Sequence, residues 1–349
     1  MSKDIVKMNW NEHMRLRPGM YNGSTNYYGY NKMLEFLLEF LFCNCAKNPI
    51  IEIFLYPENK LIFKLKKVNV DNIVSCLQNL PSINDELKGM GLSLVIALSS
   101  KVEIRVSSKL SELVLTGVGG KYEIKNRPPI GVKENVVCVE FVADKNIFSD
   151  LKTDFDSLNR FLKNFAFLNP NWQIVSYDRI TSYRQKIVFN YPEGVLNLFE
   201  NELNYNRLNT PRFLLKIKDK VEDYDIKIGL AFTCDINQTS ITYAGNDRTY
   251  LNGSLYDGVI NGFKKVIKET SSKFEIELSS SRKQITDNLF IVASLKGNGY
   301  NFYGATRSKL YLPIIEKKVS RLVYERLSSY LENDLDAWKS FVHNFEVVR

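Results

Sequence analysis

The chain has 349 residues, 44% of them hydrophobic and 25% charged, a balance that argues against disorder and predicts a sizeable core. Its length exceeds that of one typical domain, so two domains are expected. The 47 Lys+Arg against 39 Asp+Glu give a net charge of +8. That charge suits an acidic partner such as DNA, although a basic soluble protein without such a partner has the same composition.

Cysteine and histidine usage argues against disulfide, zinc and histidine-dependent chemistry. The 5 cysteines form no CxxC pair and are scattered along the chain, which predicts reduced thiols and no zinc cluster. The two histidines, His13 and His343, are expected to be ordinary structural or surface residues. The first ten residues lack an apolar signal core, and the apolar stretch Leu34 to Phe42 is too short to span a bilayer. A cytoplasmic protein with no membrane partner is therefore predicted.

Hydrophobic periodicity predicts a helix followed by a hairpin in the first part of the chain. Tyr30 to Cys45 is apolar nearly all round, with Glu35 and Glu39 one turn apart on one face. Ile50 to Tyr56 and Lys60 to Lys67 have the pattern of two strands, and lysines alternate on the outer face of the second. The turn between these strands contains a proline and an asparagine.

The rest of the chain continues as an α+β alternation. Gly91 opens an apolar segment that is predicted to be helical to Leu98, and Asn204 to Arg212 is the predicted interdomain junction because it is polar and contains a proline. Pro313 is expected at the first turn of a long C-terminal helix. Further strands are predicted at 102–107, 113–116, 136–142, 213–217, 226–233, 238–243 and 290–295, and further helices at 158–165 and 253–268.

Several segments together resemble one protein family. Arg15 to Gly23 contains Arg-Pro-Gly-Met-Tyr, Lys88 to Ser99 contains Gly-Met-Gly before the apolar helix, and Gly304 to Leu310 follows a strand near the C-terminus. With Val139 to Phe148 and Tyr243 to Gly258, they resemble the ATPase and transducer region of gyrase and topoisomerase IV B subunits. The resemblance runs from about Glu12 to Tyr330.

This resemblance implies an α+β fold, with a GHKL-type α/β sandwich followed by a transducer of the ribosomal-protein-S5-like fold. The implied boundaries are 1–204 for the ATPase-like domain, 205–330 for the transducer-like domain and 331–349 for a helical tail. The stretch after Glu332 is too short for the metal-binding cleavage domain of complete B subunits. Strand cleavage by this chain alone is therefore not expected.

The resemblance also implies roles for individual residues. Glu35 is the candidate general base for the attacking water, and Glu39 stands where the family has a magnesium-binding asparagine. Gly89, Met90 and Gly91 are the candidate phosphate loop, since glycines let backbone N–H groups approach phosphate oxygens. Arg307 stands where the transducer loop has a lysine aimed at the γ-phosphate, and it is a candidate phosphate ligand.

Other positions depart from the family pattern. The strand that should lead to an acidic residue and a glycine-rich turn ends in Lys66-Lys67, and no glycine occurs between Gly29 and Gly89. Val137 stands in place of a hydroxyl residue at the adenine site, and Ala305 in place of a glutamine. The segment from Asn69 to Glu86 is short for a lid. These changes predict that no nucleotide cofactor is bound.

Three functions fit these observations. The first is a degenerate, non-enzymatic gyrase-B-like protein that acts in DNA topology as a homodimeric scaffold or as a regulator and partner of gyrase or topoisomerase subunits. The alternative is a divergent clamp that binds and hydrolyses ATP with Mg²⁺. The third is a DNA-binding module, because basic residues with tyrosines nearby recur in clusters, although such clusters are usually solvated faces: Lys60, Lys64, Lys66, Lys67, Lys264, Lys265, Lys317, Lys318 and Arg321.

Overall fold

The protein is described from a computed structural model, which covers residues 9–45, 47–81, 90–149, 151, 153–205, 213–232, 240–304 and 307–347. The chain divides into two compact units, Met1–Tyr191 and Pro192–Arg349. Each unit has its own cluster of buried hydrophobic side chains. Among the described residues no helix combines the length and the apolar character that crossing a membrane requires.

The first unit is built on one mixed sheet with the strand order β5-β4-β3-β6-β2-β1-β7-β8. The strands β1 and β7 pair in parallel, whereas the other neighbours are antiparallel. Its elements in chain order are α1 Trp10–Leu16, α2 Gly19–Asn22, α3 Tyr27–Cys43, β1 Ile50–Tyr56, β2 Lys60–Lys66, α4 Val70–Gln78, α5 Met90–Leu98, β3 Ser99–Ser107, β4 Glu112–Val118, β5 Lys121–Arg127, β6 Val136–Ala143, α6 Phe155–Leu168, β7 Gln173–Asp178 and β8 Lys186–Phe189.

The sheet of the first unit buries one face, and its helices provide the other side of that core. Leu61, Phe63 and Leu65 of β2 are fully buried, while Ile62 and Lys64 between them are partly exposed, as the period of two requires. The residues from Gly91 to Leu98 in α5 are all buried, so this helix lies in the core between α3 and the sheet. The fully apolar sequence of α5 reflects that position.

The second unit has the sheet order β12-β11-β13-β10-β9, with β11 and β13 in parallel. Glycines on α8 allow it to pack tightly against α10, since a Cβ at Gly262 would lie 2.7 Å from Val323 Cβ. The elements are α7 Val195–Tyr205, β9 Leu214–Val221, β10 Tyr224–Phe232, β11 Ser240–Ala244, β12 Asp247–Arg248, α8 Ser254–Phe274, α9 Arg282–Asn288, β13 Leu289–Lys296, α10 Pro313–Asn333 and α11 Leu335–Phe345.

The α+β fold class and the main predicted elements are confirmed, with several boundary corrections. The strand predicted at 290–295 begins at Leu289, directly after the helix α9, whose N-cap Ser281 accepts a hydrogen bond from Gln284 N. The sequence did not indicate α4, β5, β7, β8 or α7. The strand β5 was not predicted because both faces of this edge strand are largely exposed, so its sequence does not need a strong apolar alternation.

Candidate functional site

The two candidate glutamates of the first unit lie on α3, where Asn26 caps the first turn by accepting a hydrogen bond from Tyr28 N. Glu35 is half-buried, its side chain 15% exposed, and it pairs with Lys32 at 2.8 Å between Nζ and Oε1. Glu39 is also half-buried. Lys32 on the same helix therefore supplies a counter-charge for the Glu35 carboxylate.

The start of α5 lies directly against α3. A Cβ at Gly91 would stand 2.3 Å from Phe36 O and 3.0 Å from Leu37 Cα, so only a glycine allows this approach of the two helices. The structure thus brings Gly91 to the part of α3 that lies between Glu35 and Glu39. Met90, the first residue of α5, is half-buried, and Gly89 lies outside the described residues.

The chain after β2 is held by main-chain hydrogen bonds on two sides. Lys67, in the left-handed region at φ 58, donates from its N to Asn135 O at 2.8 Å, and Asn69 N donates to Asn44 O at 2.7 Å. Between them, Val68 O accepts from Asn135 Nδ2 at 3.2 Å. This segment therefore joins the end of α3 to the segment before β6.

The same segment passes directly into a helix. Asn69 is the N-cap of α4, its side chain accepting from Asn72 N at 3.3 Å. Lys66, the last residue of β2, is exposed and lies 3.9 Å from a carboxylate oxygen of Glu134. Val137, in place of a hydroxyl residue, is fully buried opposite Leu65. Lysines thus occupy the turn at which the resemblance placed an acidic adenine contact.

Arg15, in the first motif, ties α1 to two other elements. Its guanidinium donates to Ala97 O near the end of α5 at 2.8 Å and pairs with the Asp144 carboxylate after β6. Asp144 N in turn donates to Leu98 O at 3.0 Å. Burial alone would raise the pKa of Asp144, but hydrogen bonds from Arg15 and from Asn146 N hold that pKa below its ordinary value.

Tyr21 of this motif and two residues that precede the motif, Asn11 and His13, also make internal contacts. His13 Nδ1 and the Tyr21 hydroxyl lie 2.6 Å apart, and their rings meet edge to face. Asn11 Nδ2 donates to Gly120 O at 2.7 Å. The side chains of Asn11, His13, Arg15 and Tyr21 therefore connect α1, α2, α5 and the turn before β5, which is an architectural arrangement.

Arg307 belongs to the second unit and is held within it. Its Nε lies 3.1 Å from Asp247 Oδ2, and its guanidinium stands over the Phe302 ring at 4.7 Å from the centroid. The backbone is in the left-handed region at φ 53. Sequence reasoning missed this pairing, because two helices and a strand separate Asp247 from Arg307 along the chain. Ala305 lies outside the described residues.

Within the described ranges, no group of three or more His, Cys, Asp or Glu side chains is arranged to hold a metal ion. Glu39, the candidate metal ligand, therefore has at most one acidic neighbour on α3 to share a cation, and such a site would depend on water or phosphate oxygens for its remaining ligands.

Solved structures of known proteins have the same fold over almost the whole chain. The B subunit of DNA gyrase from Myxococcus xanthus superposes with a TM-score of 0.78 at 18% identity, covering 95% of this chain and 99% of that one. The 43K ATPase domain of Thermus thermophilus gyrase B, solved with an aminocoumarin, gives 0.74 at 20% identity, covering 96% and 94%. These matches show that the chain has the GHKL ATPase-plus-transducer fold.

Sequence comparison makes the class more specific. Residues 194–345 match the family model for DNA gyrase B. The gyrase B subunit of Clostridium acetobutylicum is 26% identical over 93% of this chain and 54% of its own length. That of Helicobacter pylori is 25% identical over 93% of this chain and 45% of its own. The chain is therefore similar to gyrase B subunits, and it spans about half the length of these curated relatives.

Proposed function

We propose that this chain is a non-catalytic gyrase-B-like module, which keeps the ATPase-and-transducer fold for its shape and contacts. In this role it acts on DNA topology as a homodimeric scaffold or as a regulator of a type II topoisomerase. The observation that carries the proposal is the segment after β2, where Lys66 and Lys67 replace the acidic residue and glycine turn. Its main chain is already bonded to Asn44 and Asn135.

The energetic consequence is the loss of nucleobase recognition. Without an acidic acceptor, the adenine amino group loses a hydrogen bond, which reduces the binding free energy by about 1–3 kcal/mol. Two lysine ammonium groups at this turn add donors where the base itself requires an acceptor. The loss of shape complementarity reduces affinity further, because a small ligand depends on a few well-placed polar groups.

The retained motifs support the same conclusion. Arg15 is engaged by Ala97 and Asp144, and Gly91 is required by the contact with α3. Arg307 is paired with Asp247. Each of these residues therefore has a structural role that does not involve ATP. A domain boundary near residue 204, a transducer to about 330 and a helical tail beyond it remain part of this proposal.

A pull-down with the gyrase subunits of the same host, followed by a supercoiling assay, tests the proposed role. We expect the chain to be retained by a subunit and to change the supercoiling rate at micromolar concentration. A chain that neither associates nor changes the rate contradicts the proposal. Arg307→Ala serves as a control for the second unit, since its expected effect on association is small if Arg307 only pairs with Asp247.

The competing function is a divergent ATP-gated clamp, and the position of Gly91 of α5 against α3 favours it. That contact places the start of α5 between Glu35 and Glu39, where Met90 and Gly91 would hold phosphates, Glu39 Mg²⁺ and Glu35 the attacking water. Arg307 would supply the transducer contact. A phosphate-release assay distinguishes the two functions. ATP turnover that is abolished by Glu35→Gln supports the clamp. Absence of ATP turnover in the unaltered chain contradicts it.

A further inference from the structure

A cavity of ≈ 550 Å³ lies in the second unit, lined by residues of α8, α10 and α11. Its inner wall is largely apolar, since Val266 and Leu331 are buried, and Thr270 beside them is 8% exposed. Small-molecule sites of proteins measure about 300–1,000 Å³, and helical proteins form them between their helices. The cavity therefore has the size of a small-molecule site. It belongs to a different unit from the candidate residues of α3 and α5.

The helix α8 ends and the helix α11 begins at the rim of this cavity. Phe274 is the last residue of α8, and Glu275 closes that helix in the left-handed region at φ 54. Leu335 is the first residue of α11, whose N-cap Asp334 accepts a hydrogen bond from Ala337 N. Phe274 and Leu335 are 48% and 65% exposed. Two large apolar side chains therefore remain open to a ligand at the same rim.

Two aromatic rings line the cavity. Phe274 and Trp338 meet edge to face, with ring centroids 5.4 Å apart and planes at 67°. The face of an aromatic ring attracts a cation through its quadrupole. The ammonium group of Lys273 already lies 5.5 Å from the centroid of Phe274, so one of these rings contacts a cation within the chain itself. The ring pair therefore favours a ligand that carries a positive charge.

Two carboxylates on the cavity lining add negative charge. Glu269 of α8 accepts a hydrogen bond from the Tyr324 hydroxyl, and Glu332 of α10 is exposed. Within the part of the chain that the structure describes, neither carboxylate forms an ion pair with a lysine or an arginine. Lys273 is the only cationic side chain among the described lining residues, so two negative charges face one positive charge. The lining is thus acidic in a chain whose net charge is +8.

We propose that this cavity binds a small organic cation that has an apolar or aromatic body. The body packs on Val266 and Leu331, and the cationic group lies near the Phe274–Trp338 ring pair and the two carboxylates. Charge complementarity selects a cation over an anion, and the volume selects a small molecule over a folded partner. Binding here requires neither ATP nor a topoisomerase, so this inference goes beyond the proposed function and can fail separately.

Lys273 has a defined effect on this binding. Its ammonium group lies next to the Phe274 ring and repels a second cation in the same cavity. A neutral side chain of similar length at this position therefore strengthens the binding of a cation. This direction is opposite to that expected for the two glutamates, because their charges attract the ligand.

Fluorine NMR of the full chain, labelled with fluorotryptophan, tests the proposal. Trp338 is the only tryptophan of the second unit, whereas Trp10 and Trp172 belong to the first, so Trp338→Phe assigns its signal. The chain is titrated with phenylpropylammonium, with neutral phenylpropanol and with anionic phenylpropanoate, which share one apolar body. We expect the ammonium probe to shift the Trp338 signal in a saturable way and to bind about fivefold or more tightly than the other two.

Charge variants with a matched control locate the site. Combined Glu269→Gln and Glu332→Gln should weaken binding of the ammonium probe about fivefold or more, and Lys273→Gln should strengthen it about twofold. Combined Asp223→Asn and Asp225→Asn alter exposed residues of the second unit outside the cavity. This control changes the net charge as much as the glutamate pair does, and its affinity should stay within about twofold of the unaltered chain. Circular dichroism and thermal melting confirm that the variants are folded.

Three outcomes overturn the proposal. The first is the absence of a saturable shift of the Trp338 signal at millimolar phenylpropylammonium. The second is binding of phenylpropanol or phenylpropanoate that is as tight as binding of the ammonium probe, since the charge of the ligand would then play no part. The third is equal affinity of the glutamate and aspartate variants, because the cation would then bind the surface at large. None of these outcomes bears on nucleotide binding or on association with gyrase subunits.

Discussion

Arg15 belongs to a motif that resembles part of an ATPase, but its contacts within the fold give it a structural role. Its side chain is 24% exposed and its partner Asp144 only 7%, so the pair is largely withdrawn from water. We expect Arg15→Ala to lower the free energy of unfolding by about 2–3 kcal/mol, because Asp144 and Ala97 O each lose a charged donor. Chemical unfolding of the first unit, followed by the fluorescence of Trp10 and Trp172, measures the loss.

Arg105 provides the matched control for that experiment. It pairs with Glu103 in the same unit, but its side chain is 50% exposed and that of Glu103 is 32%. Solvent screening limits such a pair to below about 1 kcal/mol. Equal losses for Arg15→Ala and Arg105→Ala would show that Arg15 does not anchor α5.

The lowered pKa of Asp144 gives a prediction about acid stability. A carboxylate whose pKa is lower in the folded state stabilises the fold at pH values above its ordinary pKa. That contribution is lost as the pH falls through the folded-state value, so the change is expected below about pH 4. We expect Asp144→Asn to be less stable than the unaltered chain at pH 7, with a smaller further loss on acidification.

Unfolding free energies at pH 7, 5, 4 and 3 test this expectation. Asp71→Asn serves as the control, because Asp71 lies in the exposed first turn of α4. The unaltered chain and Asp144→Asn should converge as the pH falls. A constant difference between them over the whole range would contradict the assignment of the lowered pKa to Asp144.

At the scale of elements, we expect substitutions at Gly91 and Gly19 to have opposite effects on stability, although each residue lies near the start of a helix. A Cβ at Gly91 would collide with the α3 main chain at Phe36 O, whereas a Cβ at Gly19 meets nothing within 4 Å. We expect Gly91→Ala to destabilise the first unit by about 2–3 kcal/mol and Gly19→Ala to be neutral or stabilising by a few tenths. Thermal melting without nucleotide measures both, and a neutral Gly91→Ala would remove the packing explanation.

The elements also show what the sequence could and could not predict. The helix α3, the β1–β2 hairpin and α5 have strong patterns because each buries a large apolar face. In contrast, β5 was missed because it is an exposed edge, and α7 was missed although Leu196, Phe199 and Leu203 are buried. The pairings of Arg15 with Asp144 and of Arg307 with Asp247 depend on tertiary contacts that no local pattern reveals.

At the scale of the whole molecule, the second unit has the features of an independent domain. Its core includes the buried ring of Phe263, which contacts Phe213, Phe341 and Phe345, and all four rings lie within Pro192–Arg349. We expect residues 192–349 expressed alone to unfold in one cooperative thermal transition. Circular dichroism and calorimetry test this, and an unfolded or aggregated fragment would show that its stability depends on the first unit.

The central claim is that the first unit keeps the GHKL fold without an ATP site, since lysines and fixed main chain occupy the turn after β2. Titration calorimetry with a non-hydrolysable ATP analogue and Mg²⁺ tests it most directly, with a catalytically active gyrase B ATPase domain as the positive control. We predict no saturable binding to this chain at millimolar nucleotide. Stoichiometric binding that is weakened by Glu39→Ala would contradict the claim and establish the ATP-binding alternative.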